Sequence, residues 1–487
     1  MKTLQTIKLI FAAFIFSMLV SCSSSTGPSG STSDATDTSA TGSGRVTLLV
    51  TDGVTDDFDE VNLTVVSISF LGADDGRETI VFNESRVVNL LALQNYSDLL
   101  VTAIIPAGIY DKIRLEVTQV ELVKEGQAPI ITKLPANGKV DLNPRGTFEV
   151  FVDGNLMIEL DVDAEKSIHI IKKGNGELSY NFRPVVFVKI IGVDEGSKLV
   201  LLDGKVLGRT ETGFQLCDSQ DLEVNDNCLA VSITADTVVQ DDQIVVVPAT
   251  DVVDGKIATV LGIASDNIDA LHIVLEADDK KVSNLALFSG AATSDFQVDN
   301  FTMDATIDDD DVVIQPLTLA ALTVALVEGS GVRVFDKNGD VVSADTIVVG
   351  TDVDAFGMAQ PDISTVGKVK AAFIIIDNDE KDNKVSGTIA AITKTESQIT
   401  VAAVDYNGFD GDVCVDIDID ETIIFILAVV DGKVVSKEIT INELTVDMPI
   451  DVYGQDDGLS CVAADVILVA EPLAVSPVGA VRLVTGN

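Results

Sequence analysis

The feature that most constrains the fold is the alternation of apolar and polar residues from residue 45 onwards. Segments 46–50, 61–65, 112–117 and 148–152 are rich in β-branched or aromatic residues, and their apolar residues tend to recur at every second position. Gly, Asn and Asp separate such segments at intervals of about 8–12 residues, which is typical of sandwiches and barrels. We therefore expect an all-β protein. Segment 87–100 is the best candidate for a short helix.

The sequence also repeats beyond residue 196. Three strand-like segments share one pattern that ends at Gly262, Gly357 and Gly454, and these glycines are 95 and 97 residues apart. This period is too long for a solenoid and indicates tandem small β domains, although divergence alone is an alternative source of the spacing. We expect a β-sandwich at 45–195, then barrel or sandwich repeats at 196–289, 290–380 and 381–475, and a C-terminal tail at 476–487.

The first 22 residues match the pattern of a bacterial lipoprotein signal peptide. Lys2 and Lys8 precede an apolar stretch at 9–20, which ends in Ser21-Cys22. In such signals the cysteine thiolate takes a diacylglyceryl group, and the peptide is cut before the cysteine. We expect residues 1–21 to be the signal peptide and Cys22 the lipid anchor. A secretory signal or a membrane helix is the alternative, but the apolar stretch is too short to span a bilayer.

The segment that follows, 22–44, consists mostly of Ser, Thr, Gly, Asp and Ala. Such a composition cannot bury a core and predicts a flexible tether. Ser23, rather than an aspartate, follows the lipidated cysteine, and in Gram-negative sorting this favours the outer membrane. We expect a protein that is lipid-anchored in the bacterial cell envelope, at the outer membrane.

The remaining cysteines form two local pairs, Cys217 with Cys228 and Cys414 with Cys461. An even number of cysteines in an exported protein predicts disulfides, and each pair lies within one expected domain. Free buried thiols are the alternative.

Charge excludes one large class of partners. The chain has 77 Asp and Glu against 32 Lys and Arg, a net charge of −45. Such an excess repels nucleic acids and anionic lipid headgroups, so we expect no nucleic-acid partner. There are only 2 His, 5 Tyr and no Trp, which leaves little material for acid–base catalysis, zinc sites or sugar stacking.

Residues 45–195 carry a series of motifs in a fixed order: LVTD at 49–52, DFDEVNLT at 57–64, IPAGIYDKIRL at 105–115, LDVDAEKSIH at 160–169 and YNFRPVV at 180–186. In these motifs the segment resembles a bacterial lipoprotein domain, domain-of-unknown-function family 4382. The resemblance implies an exported β-sandwich and no particular chemistry. The first and third repeats resemble a small barrel-like domain, domain-of-unknown-function family 5666, and the second repeat departs more from it.

Two groups of polar residues are candidate metal ligands. Asp336, Asn338 and Asp340 occupy positions 1, 3 and 5 of an EF-hand-like loop, but Val341 and Ile347 stand where that loop needs Gly and Glu. A hairpin with an Asn-Gly turn is the favoured interpretation. Asp161, Asp163 and His169 form the second group, for which satisfaction of backbone groups at a strand end is favoured. The acidic segments 308–311 and 377–383 are expected to be solvated. We expect no bound metal, with Ca²⁺ as the alternative.

Catalytic motifs are missing from the sequence. It contains no Ser/His/Asp order, no Gly-x-Ser-x-Gly, no phosphate loop and no Cys-x-x-Cys. We expect a lipid-anchored envelope protein that is not an enzyme and has a binding or structural role, such as surface interaction or adhesion with an envelope or extracellular partner. The alternative is an exported enzyme or carbohydrate-active accessory protein, which a concave site with converging polar groups would favour.

A first prediction concerns the anchor. Cys22→Ser should abolish lipid attachment and block maturation, because a serine hydroxyl is far less nucleophilic than a thiolate. Metabolic labelling with a fatty acid should mark the wild-type protein alone. Equal labelling of the two forms would refute the assignment.

Overall fold

Strands and tight turns make up nearly all of the chain in a computed structural model of the protein. The structure describes residues 42–470 except for gaps at 53–57, 125, 145, 173–177, 192–198, 218–227, 277–284, 308–319, 361–366, 378–382, 407–408, 420–421, 431–432 and 456–460. All of these described residues belong to one unit, Ala40–Asn487. The expected signal peptide, Cys22 and the C-terminal tail lie outside them.

The N-terminal domain contains thirteen described strands and a single turn of α-helix. They are β1 (Ser43–Thr51), β2 (Glu60–Gly72), β3 (Glu78–Phe82), β4 (Arg86–Asn89), β5 (Tyr96–Pro106), β6 (Gly108–Val123), β7 (Ile130–Ile131), β8 (Lys139–Leu142), β9 (Phe148–Val150), β10 (Asn155–Val162), α1 (Ala164–Ser167), β11 (Ile168–Lys172), β12 (Leu178–Phe182) and β13 (Val186–Ile190). Two 3-10 turns lie at Leu90–Leu93 and Pro135–Gly138.

Two sheets of this domain pack over one apolar core, so it is a sandwich. One sheet has the order β13-β10-β1-β5, in which β1 and β10 run parallel. The other is built on β8, β6 and β2, with β3 and β4 on β2 and with β7 and β9 on β6. Their facing side chains, such as Val46 and Leu48 with Ile68 and Leu115, belong to one buried cluster. The alternating pattern of the sequence fits this arrangement, because one face of each strand enters the core.

Two local expectations at the start of this domain need correction. Strand β1 begins at Ser43, opposite Pro106, so the last two residues of the expected tether belong to the sandwich. The predicted helix at 87–100 is wrong, because the segment forms the end of β4, a 3-10 turn and the start of β5. Leu90 and Leu93 of that turn are buried, so tertiary packing accounts for their helix-like spacing.

Three five-stranded barrels follow, which we name barrels A (199–275), B (285–377) and C (383–470). Barrels B and C each contain two strands in addition to the five that close the barrel. Barrel A contains β14 (Leu199–Leu207), β15 (Gly213–Cys217), β16 (Cys228–Gln240), β17 (Ile257–Ala264) and β18 (Ile268–Leu275). Barrel B contains β19 (Leu285–Ala292), β20 (Asn300–Ile307), β21 (Leu322–Ala325), β22 (Arg333–Asp336), β23 (Val341–Val342), β24 (Asp352–Ala359) and β25 (Lys368–Asp377). Barrel C contains β26 (Asn383–Thr393), β27 (Gln398–Tyr406), β28 (Phe409–Ile417), β29 (Ile423–Val430), β30 (Lys433–Ile439), β31 (Pro449–Gln455) and β32 (Val462–Ala470).

Each barrel closes with the same topology. In barrel A the strands follow the cyclic order β14-β15-β16-β18-β17, and β17 pairs back onto β14. The third strand, β16, runs parallel to the last strand, β18, and the other pairs are antiparallel. Barrels B and C each carry an added hairpin, β22-β23 or β29-β30, whose first strand also pairs in parallel with the last strand. The expected boundary after residue 289 falls inside β19, which pairs only within barrel B among the described strands.

The glycines that revealed the repeat sit at equivalent bulges. The register of the fourth strand against the fifth shifts at Leu261/Gly262, Phe356/Gly357 and Tyr453/Gly454. A Cβ on each of these three glycines would collide with a carbonyl oxygen of the fifth strand, at Asp269, Lys370 and Ala463 respectively. The spacing in the sequence therefore records a close approach of backbones, for which only glycine has room.

The expected tandem barrels are present, and they pack on the sandwich and on one another. One sheet of the sandwich continues into barrel A, because Tyr96 and Ser97 of β5 pair in parallel with β14. The other sheet continues into barrel C, because β8 pairs in parallel with β30. Barrel B meets the sandwich where Asn95 Nδ2 donates to Asp354 Oδ2 over 2.9 Å, with both side chains buried. The main-chain pairing of β5 with β14 and of β8 with β30 fixes the orientation of barrels A and C on the sandwich.

A buried histidine lies where barrels A and B meet. His272 Nε2 is 2.9 Å from Gln240 Oε1, and Gln240 Nε2 donates to the carbonyl oxygen of Ser330 over 2.5 Å. The ring packs against Phe373 of barrel B, with ring centroids 5.3 Å apart. Burial, assisted by the positive charge of Arg333, lowers the pKa of His272 from 6.5 to about 3.

Both expected disulfides are present. Cys217–Cys228 joins the facing ends of β15 and β16, where the two residues are also paired in the sheet. Cys414–Cys461 joins β28 to the residue that precedes β32. The cysteine pairing predicted from sequence is thus confirmed.

The second prediction concerns His272 and acid stability. The unfolded chain binds a proton on this ring below about pH 6.5, whereas the folded protein does so only near pH 3. The free energy of unfolding should therefore fall as pH drops through that window. At about 1.4 kcal/mol per pKa unit, the shift from 6.5 to about 3 contributes on the order of 5 kcal/mol. Between pH 7 and pH 3, the free energy of unfolding of His272→Gln, measured by denaturant titration, should fall correspondingly less than that of the wild type. Parallel curves for the two proteins would contradict the assignment.

The third prediction compares the two disulfides. Loop-closure entropy gives about 3 kcal/mol for a short loop like that of Cys217–Cys228 and about 4 kcal/mol for a longer one like that of Cys414–Cys461. Cys414→Ala with Cys461→Ala should therefore destabilise barrel C somewhat more than the matching double variant destabilises barrel A. Hydrogen exchange of each barrel's strands, read by mass spectrometry, measures the two losses separately. Unchanged protection in both variants would count against the entropic account.

Candidate functional site

A cleft of about 750 Å³ lies where the sandwich, barrel A and barrel B meet. We call it the three-domain cleft. Its lining side chains are Glu60, Asn62, Thr64, Arg86, Val87, Val88, Asn89, Ala92, Leu93, Tyr96, Asp98, Gln119, Glu121, Leu201, Leu202, Asp203, Thr259, Leu287 and Ile307. The volume falls within the range of small-molecule sites, which is roughly 300–1,000 Å³.

The floor of the cleft is the outer face of the sheet formed by β4, β2 and β6. Asn62 of β2 lies between Asn89 of β4 and Glu121 of β6 in the strand register, and Thr64 lies beside Gln119. The alternation of the strands explains this row, because every second side chain turns away from the core. Amide, hydroxyl and carboxylate groups thus stand next to one another on a rigid sheet.

The walls of the cleft hold their polar groups in fixed positions. Arg86 pairs with Asp98 at 3.2 Å and also donates to the carbonyl oxygen of Leu100. On the barrel A side, Thr259 Oγ1 lies 3.0 Å from Asp203 Oδ1 and 2.7 Å from Glu276 Oε1. Neighbouring side chains therefore constrain these walls, as expected for a preformed site.

The charge of the cleft determines which ligands suit it. Four carboxylates, those of Glu60, Asp98, Glu121 and Asp203, line it, and Arg86 is the one basic side chain among the described lining residues. Such a surface favours cationic or hydrogen-bond-donating ligands and repels anions. The buried groups with shifted pKa, Asp163 and His272, lie outside the cleft.

The predicted EF-hand-like residues form a hairpin turn between β22 and β23. Asp336 Oδ1 accepts hydrogen bonds from the backbone N–H groups of Asn338, at 3.0 Å, and Asp340, at 2.9 Å. Gly339 supplies the positive φ of 90° that the turn requires. The Asp336 carboxylate therefore serves the turn, as the favoured interpretation predicts.

The structure separates the roles of the second candidate group. Asp163 caps α1: its Oδ1 accepts from the Lys166 backbone N–H, and its Oδ2 pairs with Lys166 Nζ at 2.7 Å. Burial raises the pKa of Asp163, and the charge of Lys166 opposes this rise. Asp161 lies on β10, opposite Phe187 of β13. His169 lies on β11 opposite Asn181, and its side chain is outside the described part.

One cluster within the described chain brings three candidate metal-ligand atoms within 4.8 Å of one another, at Cys414, Asp416 and Cys461. The two sulfur atoms are joined in a disulfide, so they are not available as thiolate ligands. The acidic residues at 308–311 and most of the 377–383 segment lie outside the described residues.

Sequence reasoning missed the three-domain cleft. Its residues come from distant segments, near 60, 90, 120, 203, 259, 287 and 307, and none of them forms a motif. The available signal was indirect: alternation in β2 and β6 indicated which side chains face away from the core. What those side chains would meet depends on the packing of the barrels.

Comparison with known proteins bears on the first domain. Residues 43–184 match the model of a family described as a domain of unknown function, DUF4382. No curated protein of similar sequence was found. Among solved structures, "drosophila Unr CSD456" aligns with a TM-score of 0.15 and 9% identity over 57% of this chain and 99% of that chain. No helix in the described part is both long and apolar enough to cross a membrane. The match over 43–184 supports the resemblance of the first segment to this family.

Proposed function

We propose that the protein is a lipid-anchored component of the bacterial cell envelope that binds a partner, without catalysis, in the three-domain cleft. The proposed anchor is Cys22, and the serine that follows it, Ser23, favours sorting to the outer membrane. Barrels A and C resemble domain-of-unknown-function family 5666, and barrel B departs more from it. The observation that carries the binding role is the cleft itself, because three domains converge on one concave polar surface.

The way the domains are joined supports binding over a purely passive spacer. Strand β14 pairs with β5 at Tyr96 and Ser97, and Tyr96 and Asp98 of the same strand line the cleft. Pairing between domains therefore positions the walls directly. A rigid site loses less conformational entropy when a ligand binds, which favours affinity.

The nature of the partner follows from the lining. With four carboxylates around the cleft and a net charge of −45 on the chain, a group bound there carries positive charge or many hydrogen-bond donors. An envelope or extracellular protein with an exposed basic segment fits this description, and nucleic acid does not.

A second candidate function is that of a carbohydrate-active accessory protein. The row of Asn62, Asn89 and Gln119 favours it, because amide side chains bind hydroxyl groups in both donor and acceptor roles. Against it, the one aromatic side chain among the described lining residues is Tyr96, which is only 5% exposed and offers little stacking surface.

The fourth prediction tests the cleft by charge reversal. Glu60→Lys with Glu121→Lys should weaken partner binding by about tenfold or more, because like charges at an interface repel strongly. Glu211→Lys with Glu328→Lys changes the net charge equally at exposed positions outside the cleft lining and serves as the control. Recovery of partners from envelope extracts, and binding to an array of glycans, are measured for wild type and both variants.

The outcomes separate the candidates. A protein retained by wild type and control but lost from the cleft variant supports the proposed function. A glycan with the same behaviour supports the accessory function instead. Equal recovery by all three proteins would exclude the cleft as the binding site, and turnover of a small substrate without any partner would favour an enzyme.

A further inference from the structure

An exposed apolar loop follows β9 at one end of the sandwich. Phe151 is 63% exposed and Val152 is 48% exposed, although both are large apolar residues. The loop is held firmly against the start of β1: the Asp153 N–H donates to the Ser43 carbonyl oxygen, and the Arg45 N–H donates to that of Gly154, both over 2.8 Å. A rigid backbone therefore presents these apolar side chains to the surroundings.

The same loop lies where the chain leads away towards Cys22. Gly42 is the first described residue, and its carbonyl oxygen accepts from the Ala107 N–H over 2.9 Å. A Cβ on Gly42 would lie 2.7 Å from Cγ1 of Val152, so the chain passes directly against that side chain. The apolar loop and the connection to the expected anchor thus share one place on the molecule.

Further apolar residues are exposed at this end. Ile104 and Ile109 are each 48% exposed. Ile109 pairs with Glu149, two residues before Phe151, and Pro106 lies opposite Ser43. We call this region, formed by 104–109 and 151–154 around Gly42, the anchor-side end. Four large apolar residues are thus exposed at one end of the sandwich, which favours contact of that end with another phase or molecule.

We propose that the anchor-side end docks on the lipid bilayer, with Phe151 and Val152 inserted among headgroups and upper acyl chains. The inference rests on the proposed anchor at Cys22, which would hold this end near the membrane at high effective concentration. The net charge of −45 opposes anionic surfaces, so the bilayer surface that fits is zwitterionic. A second, interfacial contact of this kind adds to lipid anchoring and orients the protein.

The absence of tryptophan from the chain allows a clean test. In Phe151→Trp the new side chain is a single fluorescent reporter at the proposed contact. Val349→Trp is the matched control: Val349 is 64% exposed and belongs to barrel B. That barrel meets the sandwich at Asn95, just before the opposite end of β5 from Pro106.

The lipidated full chain is reconstituted into phosphatidylcholine vesicles, and flotation verifies the attachment. The emission of Phe151→Trp should shift to shorter wavelength, and lipids brominated on their acyl chains should quench it. Val349→Trp should show neither effect. Emission of Phe151→Trp that stays unshifted and unquenched on floating vesicles would overturn the docking and leave the anchor standing.

Two further outcomes would also overturn the docking. A blue shift without vesicles that grows with protein concentration would assign the surface to a second copy of the chain. A shift without vesicles that does not depend on concentration would assign it to residues 22–41, which precede the sandwich in the lipidated chain.

A separate experiment tests docking of the anchor-side end without acylation of Cys22. A hexahistidine tag replaces residues 1–22 of the Phe151→Trp variant, and the tagged chain is held on vesicles that contain a nickel-chelating lipid. If the natural chain fails to float but this chain shows the shift and the quenching, docking stands and the anchor at Cys22 fails. If the tagged chain shows neither effect, docking fails whatever the state of Cys22.

Discussion

The architecture depends on the close approach of two strands at one glycine in each barrel. Gly262, Gly357 and Gly454 let the fourth strand bulge against a carbonyl oxygen of the fifth, which bends the strands enough to close a five-stranded cylinder. Closure removes free sheet edges within each barrel, and such edges would otherwise pair with other chains. Tandem barrels can then pack on the sandwich through a few chosen strands, as β14 does on β5.

The barrel topology does not by itself identify a function. Small five-stranded Greek-key barrels serve elsewhere as binding modules for oligonucleotides and oligosaccharides. Here the net charge of −45 disfavours the first of these ligands, and no tryptophan is present to stack on the second. Function has to be inferred from a site, and the three-domain cleft lies between domains rather than on one barrel. The packing of the domains is therefore the step that converts three similar barrels into a specific surface.

How far the sequence predicts the structure depends on whether a feature is local. Alternation, and the strand pattern that ends at Gly262, Gly357 and Gly454, are properties of neighbouring residues, and the structure follows them. The paired cysteines are 11 and 47 residues apart, and each pair lies within one barrel. The helix expected at 87–100 failed because Leu90 and Leu93 are buried by tertiary packing in a 3-10 turn. The three-domain cleft could not be predicted, because Asn62, Asp203 and Leu287 become neighbours only after the sandwich and both barrels have packed.

Strand β5 relates the two proposed surfaces to each other. Tyr96 and Asp98, at its start, line the three-domain cleft, and Pro106, at its other end, belongs to the anchor-side end. At about 3.3 Å per residue, the eight residues from Asp98 to Pro106 separate these surfaces by roughly 25 Å. Strand β6 runs between the same two regions, with Ile109 in the anchor-side end and Glu121 in the cleft. A sandwich docked on the bilayer by its anchor-side end would therefore hold the cleft above the headgroups, where a soluble or cell-surface partner can reach it.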